Sequence, residues 1–573
     1  VCSKEEQEQE EFFNVLHKCL FLPNSPTLMN AGKKMSYSAC FVLPIGDSME
    51  EIFGAVRETA LIQKSGGGTG FDFSHLRPTG DTVSSTKGVA SGPCSFIQVF
   101  NAATDVIKQG STRRGANMGI LRVDHTDIME FIAMKNQEGN LANFNISVAI
   151  TDAFMKALDR DEEIPLVFNG KNYKVIRARE IWDAIIEGAW RNGEPGVVFI
   201  DKINRHNLLP RLGRIEATNP CGEQPLLPYE ACVLGSVNLA KMVTNDKETK
   251  EIDWTLLETT VRTGVRMLDN IIDIQSYPLP EIEKMHKANR KIGLGVMGWA
   301  DMLLLLGIKY NSEEALTLAG KVMSFIENVS IEESKELAKR KGAFQTWKGS
   351  IWEYKGISIR NATTTTIAPT GSLSIIAECS SGIEPIFAWE TIQKRPVGEH
   401  KVVHPIYKAF KGDGRTIPEY FVTAGEISPE WHIKMQATFQ RYTHNAVSKT
   451  INLPNSATKE DIEKTFRLAY SLGCKGLTVY RDGSRQEQVI STVKEKKKDT
   501  EKTEEEMRVV EDAKRIRVKT SEGNVYVIIT HREVTPLEVF IHSPVESKYA
   551  EIYEAFARVL SMALRYRIPL KSL

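Results

Sequence analysis

The sequence predicts an α/β body followed by a small α+β domain, and three observations carry that reading. Short apolar runs such as Ile146–Ile150 and Val197–Ile200 alternate with longer helical patterns up to about residue 480, as expected of a sheet wrapped by helices. After Arg485 the composition shifts, and Lys494–Glu506 consists only of Lys, Glu, Asp and Thr, a mixed-charge block without apolar anchors that reads as a linker. Beyond it Val525–Thr530 and Leu537–His542 read as strands, and Ile552, Phe556, Leu560 and Ala563 mark an amphipathic helix. The expected organisation is an N-terminal helix over 1–20, a body over 21–485, a linker over 486–507 and an appended domain over 508–573.

Taken in chain order, Ser3 and Glu6 have capping-box spacing, and Phe12, Phe13, Leu16, Cys19 and Leu20 continue at helical spacing. A Pro-rich turn, Leu22-Pro23-Asn24-Ser25-Pro26, follows. Ser48 and Glu51 repeat the capping signal ahead of Ile52, Val56 and Ala60, and this helix should end at Gly66-Gly67-Gly68. A further helix is expected over about Ser95–Lys108, then a Gly-, Ser-, Arg- and Asn-rich loop from Gly110 to Gly119 with adjacent cations at Arg113 and Arg114. Ser428-Pro429 and Thr458–Asp461 read as helix starts.

Composition excludes several function classes. With 42% apolar and 25% charged residues over 573 positions, the chain is globular and long enough for two to four domains of about 150 residues. Lys and Arg number 73 and so do Asp and Glu, so no global field draws in nucleic acid or an acidic membrane. Any anionic ligand needs a local site. Asp301 interrupts the most apolar stretch, Ile292–Ile308, and no signal-peptide pattern is present, which reads as a cytoplasmic protein without a membrane span. Eight cysteines are too few for a disulfide scaffold, and without CxxC or HExxH spacing no metal site is expected. A chain opening on Val1 with a helix close behind reads as a processed or partial form of something longer.

The sharpest chemical feature is Asn219-Pro220-Cys221-Gly222-Glu223-Gln224. Pro220 and Gly222 oppose a helix, and in an extended segment Asn219, Cys221 and Glu223 would share one side. An amide, a thiol and a carboxylate on one edge can hold a substrate, supply reactive sulfur and move a proton. An ordinary cysteine is a small buried hydrophobe, but these polar neighbours favour chemistry. Cys40 and Cys232 each open an apolar strand-like run, where either alone would be a core residue; a redox role needs contact between them. The run Thr363-Thr364-Thr365-Thr366 breaks at Pro369-Thr370-Gly371-Ser372, a turn able to offer N–H groups and hydroxyls to a phosphate, or simply a turn. Gly293-Leu294-Gly295-Val296-Met297-Gly298 has dinucleotide-fingerprint spacing but follows a helix-like segment, so close helix packing is expected. Gly66–Gly70 lacks the Lys of a P-loop, and Pro405 argues against His400 and His404 sharing a helix face.

Taken together, the Asn219–Glu223 segment, Cys40, Cys232 and Pro369-Thr370-Gly371-Ser372 resemble the catalytic chain of ribonucleotide reductases over roughly Phe21–Arg485. Pro220 after Asn219, the segment Lys475–Arg481 and the appended domain resemble the class II, adenosylcobalamin-dependent branch. The resemblance implies a ten-stranded α/β barrel with the Cys221 loop threaded through its centre. It also implies that Cys221 becomes a thiyl radical that takes the 3′ hydrogen of a ribonucleotide. Glu223 would receive the 3′-hydroxyl proton, Asn219 would hold the sugar, and Cys40 and Cys232 would supply two electrons by becoming a disulfide. Ser25, Ala39, Gly68, Pro369, Thr370, Gly371, Ser372 and Leu373 would line the substrate site. Asp47, Ser48, Arg77, Arg113 and Arg114 would form a site for a deoxynucleotide effector.

The same resemblance implies a thioredoxin-type or small dithiol reductant, a homodimer, a diphosphate substrate and a role in DNA synthesis and repair. Tyr480 stands alone between Val479 and Arg481, unlike the tyrosine pair of class I chains, and no Asp-x-His-x-x-Gly pattern predicts histidine ligation to cobalt. Cys474 is the last cysteine, so the chain would end before the cysteine-pair tail of such reductases. A class I chain with a metal-radical partner and a non-catalytic nucleotide-binding regulator are the competing expectations.

Overall fold

The computed structural model describes residues 3, 5–83, 87–109, 113–137, 139–244, 250–395, 398–412, 416–484, 490–492, 512–520, 523–532, 535–542 and 557. The chain divides into two compact units, residues 1–389 with 404–487, and residues 390–403 with 488–573.

In the first unit ten strands make one sheet: β1 (Phe21–Pro23), β2 (Cys40–Val42), β3 (Gly68–Asp72), β4 (Asn117–Arg122), β5 (Phe144–Ile150), β6 (Gly196–Phe199), β7 (Ala231–Asn238), β8 (Ile292–Met297), β9 (Thr450–Leu453) and β10 (Gly476–Arg481). β2 through β6 are parallel neighbours in chain order, as helical crossovers favour. β10 joins β6 antiparallel and β9 lies parallel beyond it. At the other end β7 receives β1 and β2 antiparallel along one edge and β8 parallel along the other. The burial pattern follows the ladder: every residue of β7 and β8 is buried, as strands covered on both faces require.

The two ends of this ladder, β8 and β9, are bridged by the threonine run. Ile292 and Leu294 of β8 donate to the Thr363 and Thr364 carbonyls at 3.2 and 2.7 Å. On its other side the run bonds residues 445–448, with Ile367 N–H to Ala446 O at 3.1 Å and Ser448 N–H to Ile367 O at 2.8 Å. Those residues lead directly into β9, so the expected ten-stranded barrel is present and threonines serve as its seam.

Helices cover the barrel. α1 (Glu6–His17) buries Phe12 and Val15. α2 (Met49–Lys64) starts at Ser48, whose hydroxyl accepts the Glu51 N–H at 3.2 Å as the sequence led one to expect. α3 (Gly92–Val106) adds Phe100 to an aromatic cluster with Phe71, Phe73 and Phe144. α4 (Trp254–Ile274) buries Leu257, Val261, Val265, Leu268 and Ile272 and packs against α5 (Glu313–Lys341) and β7. α6 (Gly371–Ile376) follows the Pro369-Thr370 turn. The helices at Pro429–Gln440 and Lys459–Ser471 begin where expected, the second with a reciprocal Thr458–Asp461 capping box.

Three local expectations need correction. α1 is preceded by Glu5, not Ser3, at its N-cap; Ser3 Oγ accepts the Glu5 N–H instead, so the capping box is not formed. The loop around Arg113 and Arg114 contains a short hairpin, Lys108–Gln109 with Arg113–Arg114, and its later part belongs to β4. Gly293 and Gly295 lie in strand β8, not at a helix packing contact. A methyl at 295 would overlap the Thr366 carbonyl oxygen and one at 293 would sit 2.6 Å from Thr366 Cγ2, so these glycines let the seam approach the strand.

Among its described residues the second unit contains two small antiparallel sheets, Gly398–Val403 with Glu390–Arg395 and Ile490–Thr492, and Asp512–Thr520 with Gly523–Arg532 and Thr535–His542. The latter two strands enclose the expected ones. The helix marked by Ile552, Phe556, Leu560 and Ala563, and the charged block Lys494–Glu506, lie outside the described residues.

Candidate active site

The segment carrying Asn219, Cys221 and Glu223 is a tight hairpin, and the expected extended edge is not what forms. Ala217–Thr218 pairs antiparallel with Pro225–Leu226, and between them the Gly222 N–H closes a turn onto the Asn219 carbonyl at 3.0 Å. Gly222 has φ +79°, a conformation that costs glycine nothing and opposes other residues. A turn reverses the side-chain directions that an extended chain would align. Asn219 and Glu223 point inward and are 2% exposed, whereas Cys221 stands exposed at the tip.

The hairpin is tied to walls around the barrel. Asn145 of β5 donates to the Pro220 carbonyl at 2.8 Å. Across the interior the Glu223 carbonyl accepts the Ala446 N–H at 2.9 Å and the Thr366 hydroxyl at 3.0 Å. β3 makes room: a methyl on Gly68 would lie 2.8 Å from Pro220 Cγ, and one on Gly70 would overlap the Thr218 carbonyl oxygen. At the hairpin's base His75 Nε2 is 2.9 Å from Glu216 Oε2, linking it to the segment after β3. These contacts thread the loop through the barrel.

Inside, the loop meets the cysteine pair. β2 and β7 run antiparallel with Cys40 directly opposite Cys232, and both side chains are thiols, 3% and 0% exposed. Opposed positions bring Cβ atoms to about 4.5–5.5 Å, the range from which a small adjustment closes a disulfide. Asn219 Nδ2 donates to Cys40 Sγ at 3.1 Å, and the Cys40 thiol is 3.8 Å from Glu223 Oε1. Asn219 Oδ1 in turn accepts the Gln224 N–H at 2.9 Å, which fixes the amide's orientation. Burial pushes the Cys232 thiol well above its ordinary pKa, with the nearby Lys291 ammonium the largest opposing influence. A buried pair of thiols therefore lies beside an amide and a carboxyl group, and the hairpin that supplies those two groups carries a third, exposed thiol at its tip.

A reductase barrel model, described as "Ribonucleotide reductase, barrel domain", matches residues 38–358 and 353–480. The chain belongs to the ribonucleotide reductase family. A second model, the TSCPD domain, matches residues 494–573. This reductase chain is 53% identical over 86% of its length to a vitamin B12-dependent ribonucleoside-diphosphate reductase of Thermoplasma acidophilum, 67% of which is covered. It is 45% identical over 84% of its length to a protein of that name from Mycobacterium tuberculosis, covering 73% of it. To the ribonucleoside-diphosphate reductase subunit alpha of Chlamydia pneumoniae it is 26% identical over 81%, covering 54% of that protein.

The other residues anticipated in this reductase fall as follows. Ser25 opens a short helix directly after β1, Ala39 precedes β2, and Gly68 begins β3 on the strand beside Cys40. Pro369 and Thr370 form the turn into α6, where Thr370 has φ +55° and its hydroxyl accepts the Gly382 N–H at 2.7 Å; Gly371 and Ser372 are exposed and Leu373 is buried. Asp47 and Arg77 do meet, through Arg77 Nε and N–H at 2.7 and 2.9 Å, so the Arg77 charge already has a carboxylate partner. Ser48 adjoins them at the start of α2. The side chains of Arg113 and Arg114 lie outside the described residues. Sequence reading missed Asn145 and the Glu230–Lys291 ion pair, because each acts through a fold-dependent neighbour and carries no local motif, and it singled out the threonine run without the bond from Thr366 to the Glu223 carbonyl.

Among the described residues no helix is long and apolar enough to cross a membrane.

Proposed function

We propose that this chain reduces ribonucleoside diphosphates to deoxyribonucleotides through a thiyl radical on Cys221, with Cys40 and Cys232 as the internal reductant. The observation that carries the reading is the convergence of Asn219 and Glu223, which flank the exposed Cys221 in the hairpin, on Cys40, itself opposed to Cys232. Cys221 would take the 3′ hydrogen and later return it. Glu223 would accept the 3′-hydroxyl proton, and Asn219 would orient the sugar. The dithiol would protonate the departing 2′-hydroxyl and give two electrons, leaving deoxynucleotide, water and a Cys40–Cys232 disulfide. The groups that would act on the 2′ and 3′ hydroxyls, Asn219, Glu223, Cys40 and Cys232, are buried from solvent.

The names of the two most similar relatives given above support adenosylcobalamin as the radical source, and the site fits that use: the one thiol of the three that is exposed is the one at the turn's tip. When bound, adenosylcobalamin supplies a radical by homolysis of its cobalt–carbon bond. Substrate would contact Ser25, Ala39, Gly68 and Pro369–Leu373, and a deoxynucleotide effector would act through Asp47, Ser48, Arg77, Arg113 and Arg114. A thioredoxin-type or small dithiol reductant, a homodimer and a cytoplasmic setting complete the proposal. Tyr480, without a second adjacent tyrosine, disfavours the class I alternative. Anaerobic incubation with adenosylcobalamin, a ribonucleoside diphosphate and a small dithiol should yield deoxynucleotide; its absence under these conditions would refute the reading.

A further inference from the structure

Cys40 and Cys232 face each other from different surroundings. The Cys40 sulfur is on the side of the catalytic hairpin, where it accepts the Asn219 amide and lies 3.8 Å from a Glu223 oxygen. The Cys232 sulfur is turned to backbone carbonyls, 3.6 Å from Lys291 O and 3.7 Å from Val233 O, and is wholly buried. Next to it runs a buried ion pair, Lys291 Nζ to Glu230 Oε2 at 2.5 Å, with side chains 3% and 1% exposed. Glu230 is held further by the Leu227 N–H at 2.7 Å and by Asn289 Nδ2, so the ammonium is fixed in place. Neither cation nor carboxylate of this pair has a part in the reduction as derived above.

Thiol–disulfide exchange is directional when the two sulfurs differ in access and in the stability of the thiolate that leaves. The Cys40 sulfur faces the side chains of the hairpin, whereas the Cys232 sulfur faces the backbone of Val233 and of Lys291, just before β8. Burial and the Glu230 and Glu223 carboxylates all oppose charge on Cys232, and Lys291 is the group beside it that favours that charge. We propose that the Cys40–Cys232 disulfide is opened in one direction, an incoming thiolate attacking the Cys40 sulfur and Cys232 leaving as a thiolate beside Lys291. The inference rests on the reading of these two cysteines as the reducing pair. The new bond joins the reductant sulfur to Cys40 as the bond to Cys232 breaks. The second thiol of a dithiol then attacks the reductant sulfur and releases Cys40. Two electrons pass from dithiol to protein, its two protons end on Cys40 and Cys232, and the reductant becomes a disulfide. Lys291 is a positioning residue in this scheme, acting through Cys232.

The test uses the whole chain oxidised with diamide and mapped by mass spectrometry. A missing Cys40–Cys232 crosslink would defeat the reducing-pair reading and this inference with it. With the crosslink present, brief treatment with 2-mercaptoethanol followed by acid quench and N-ethylmaleimide should leave mercaptoethanol on Cys40 and maleimide on Cys232. The opposite pattern, or equal labelling, would overturn the direction alone. Lys291→Gln should slow exchange roughly tenfold and make trapping less selective, and Lys291→Arg should restore both. An unchanged rate and selectivity in Lys291→Gln would remove Lys291 from the scheme, and the trapping result in the unaltered chain stands independently of that variant.

Discussion

Asn219 donates its side-chain amide to the sulfur of Cys40 at 3.1 Å, a bond between a loop inside the barrel and a strand of its wall. That contact couples the hairpin of the proposed radical cysteine to the dithiol that would be oxidised, and it defines what the first experiments should perturb.

Cys221→Ser should abolish deoxynucleotide formation, because hydroxyl hydrogen is far harder to remove than thiol hydrogen, while leaving the Asn219–Cys40 contact and nucleotide binding intact. Product assays and equilibrium dialysis with labelled nucleotide separate the two effects. Appreciable turnover would remove Cys221 from the radical role.

Oxidation of the buried pair should limit turnover when the reductant cannot reach it. Cys40 and Cys232 are 3% and 0% exposed, so a small dithiol should sustain turnover while thioredoxin as the only reductant should support about one turnover per site. Peptide mapping after that turnover should find the two cysteines linked, and sustained turnover with thioredoxin would show another route for electrons.

Gly70 and Gly54 should respond oppositely to alanine. At Gly70 the methyl would overlap the Thr218 carbonyl oxygen and displace the hairpin, costing about 1–3 kcal/mol and most of the activity. Gly54 lies within α2 with nothing within 4 Å of an added methyl, so alanine there should stabilise by about 0.5–1 kcal/mol. Denaturant unfolding and turnover of both variants provide the comparison.

Lys475 is buried, its Nζ donating to the carbonyls of His444, at 2.7 Å, and Asn445, and burial pulls its pKa down to about 7 from 10.5. Between about pH 7 and 10.5 the folded state therefore holds fewer protons at this group than the unfolded state. Its contribution to stability should rise with pH across that window by up to about 1.4 kcal/mol per unit and be flat below it. The difference in unfolding free energy between the native chain and Lys475→Met should show this slope, and a difference independent of pH would contradict it.

Arg77→Ala should weaken the influence of a deoxynucleotide on base preference while leaving basal reduction unchanged. Removing the arginine also frees Asp47, which now receives Arg77 at 2.7 Å, and an uncompensated carboxylate repels a triphosphate. Base preference measured against effector concentration should shift to higher concentration, and an unchanged curve would place the effector elsewhere.

The sequence by itself determined the α/β character, the helix starts at Ser48, Ser428 and Thr458, and the chemical identity of the Asn219–Glu223 segment, because capping, periodicity and turn chemistry are local properties. It also placed Cys40 and Cys232 at strand starts. Only the tertiary structure decided that these cysteines oppose each other, that the Asn219–Glu223 segment is a turn with Cys221 outside and its neighbours inside, and that the threonine run closes the barrel. Strand register is set by long-range pairing, and Gly293 and Gly295 look alike in a helix contact or a strand until the approaching Thr366 carbonyl is known. The Glu230–Lys291 pair was unreadable for the same reason: two charged residues far apart in the chain become one buried ion pair only when β7 and β8 lie side by side and exclude water.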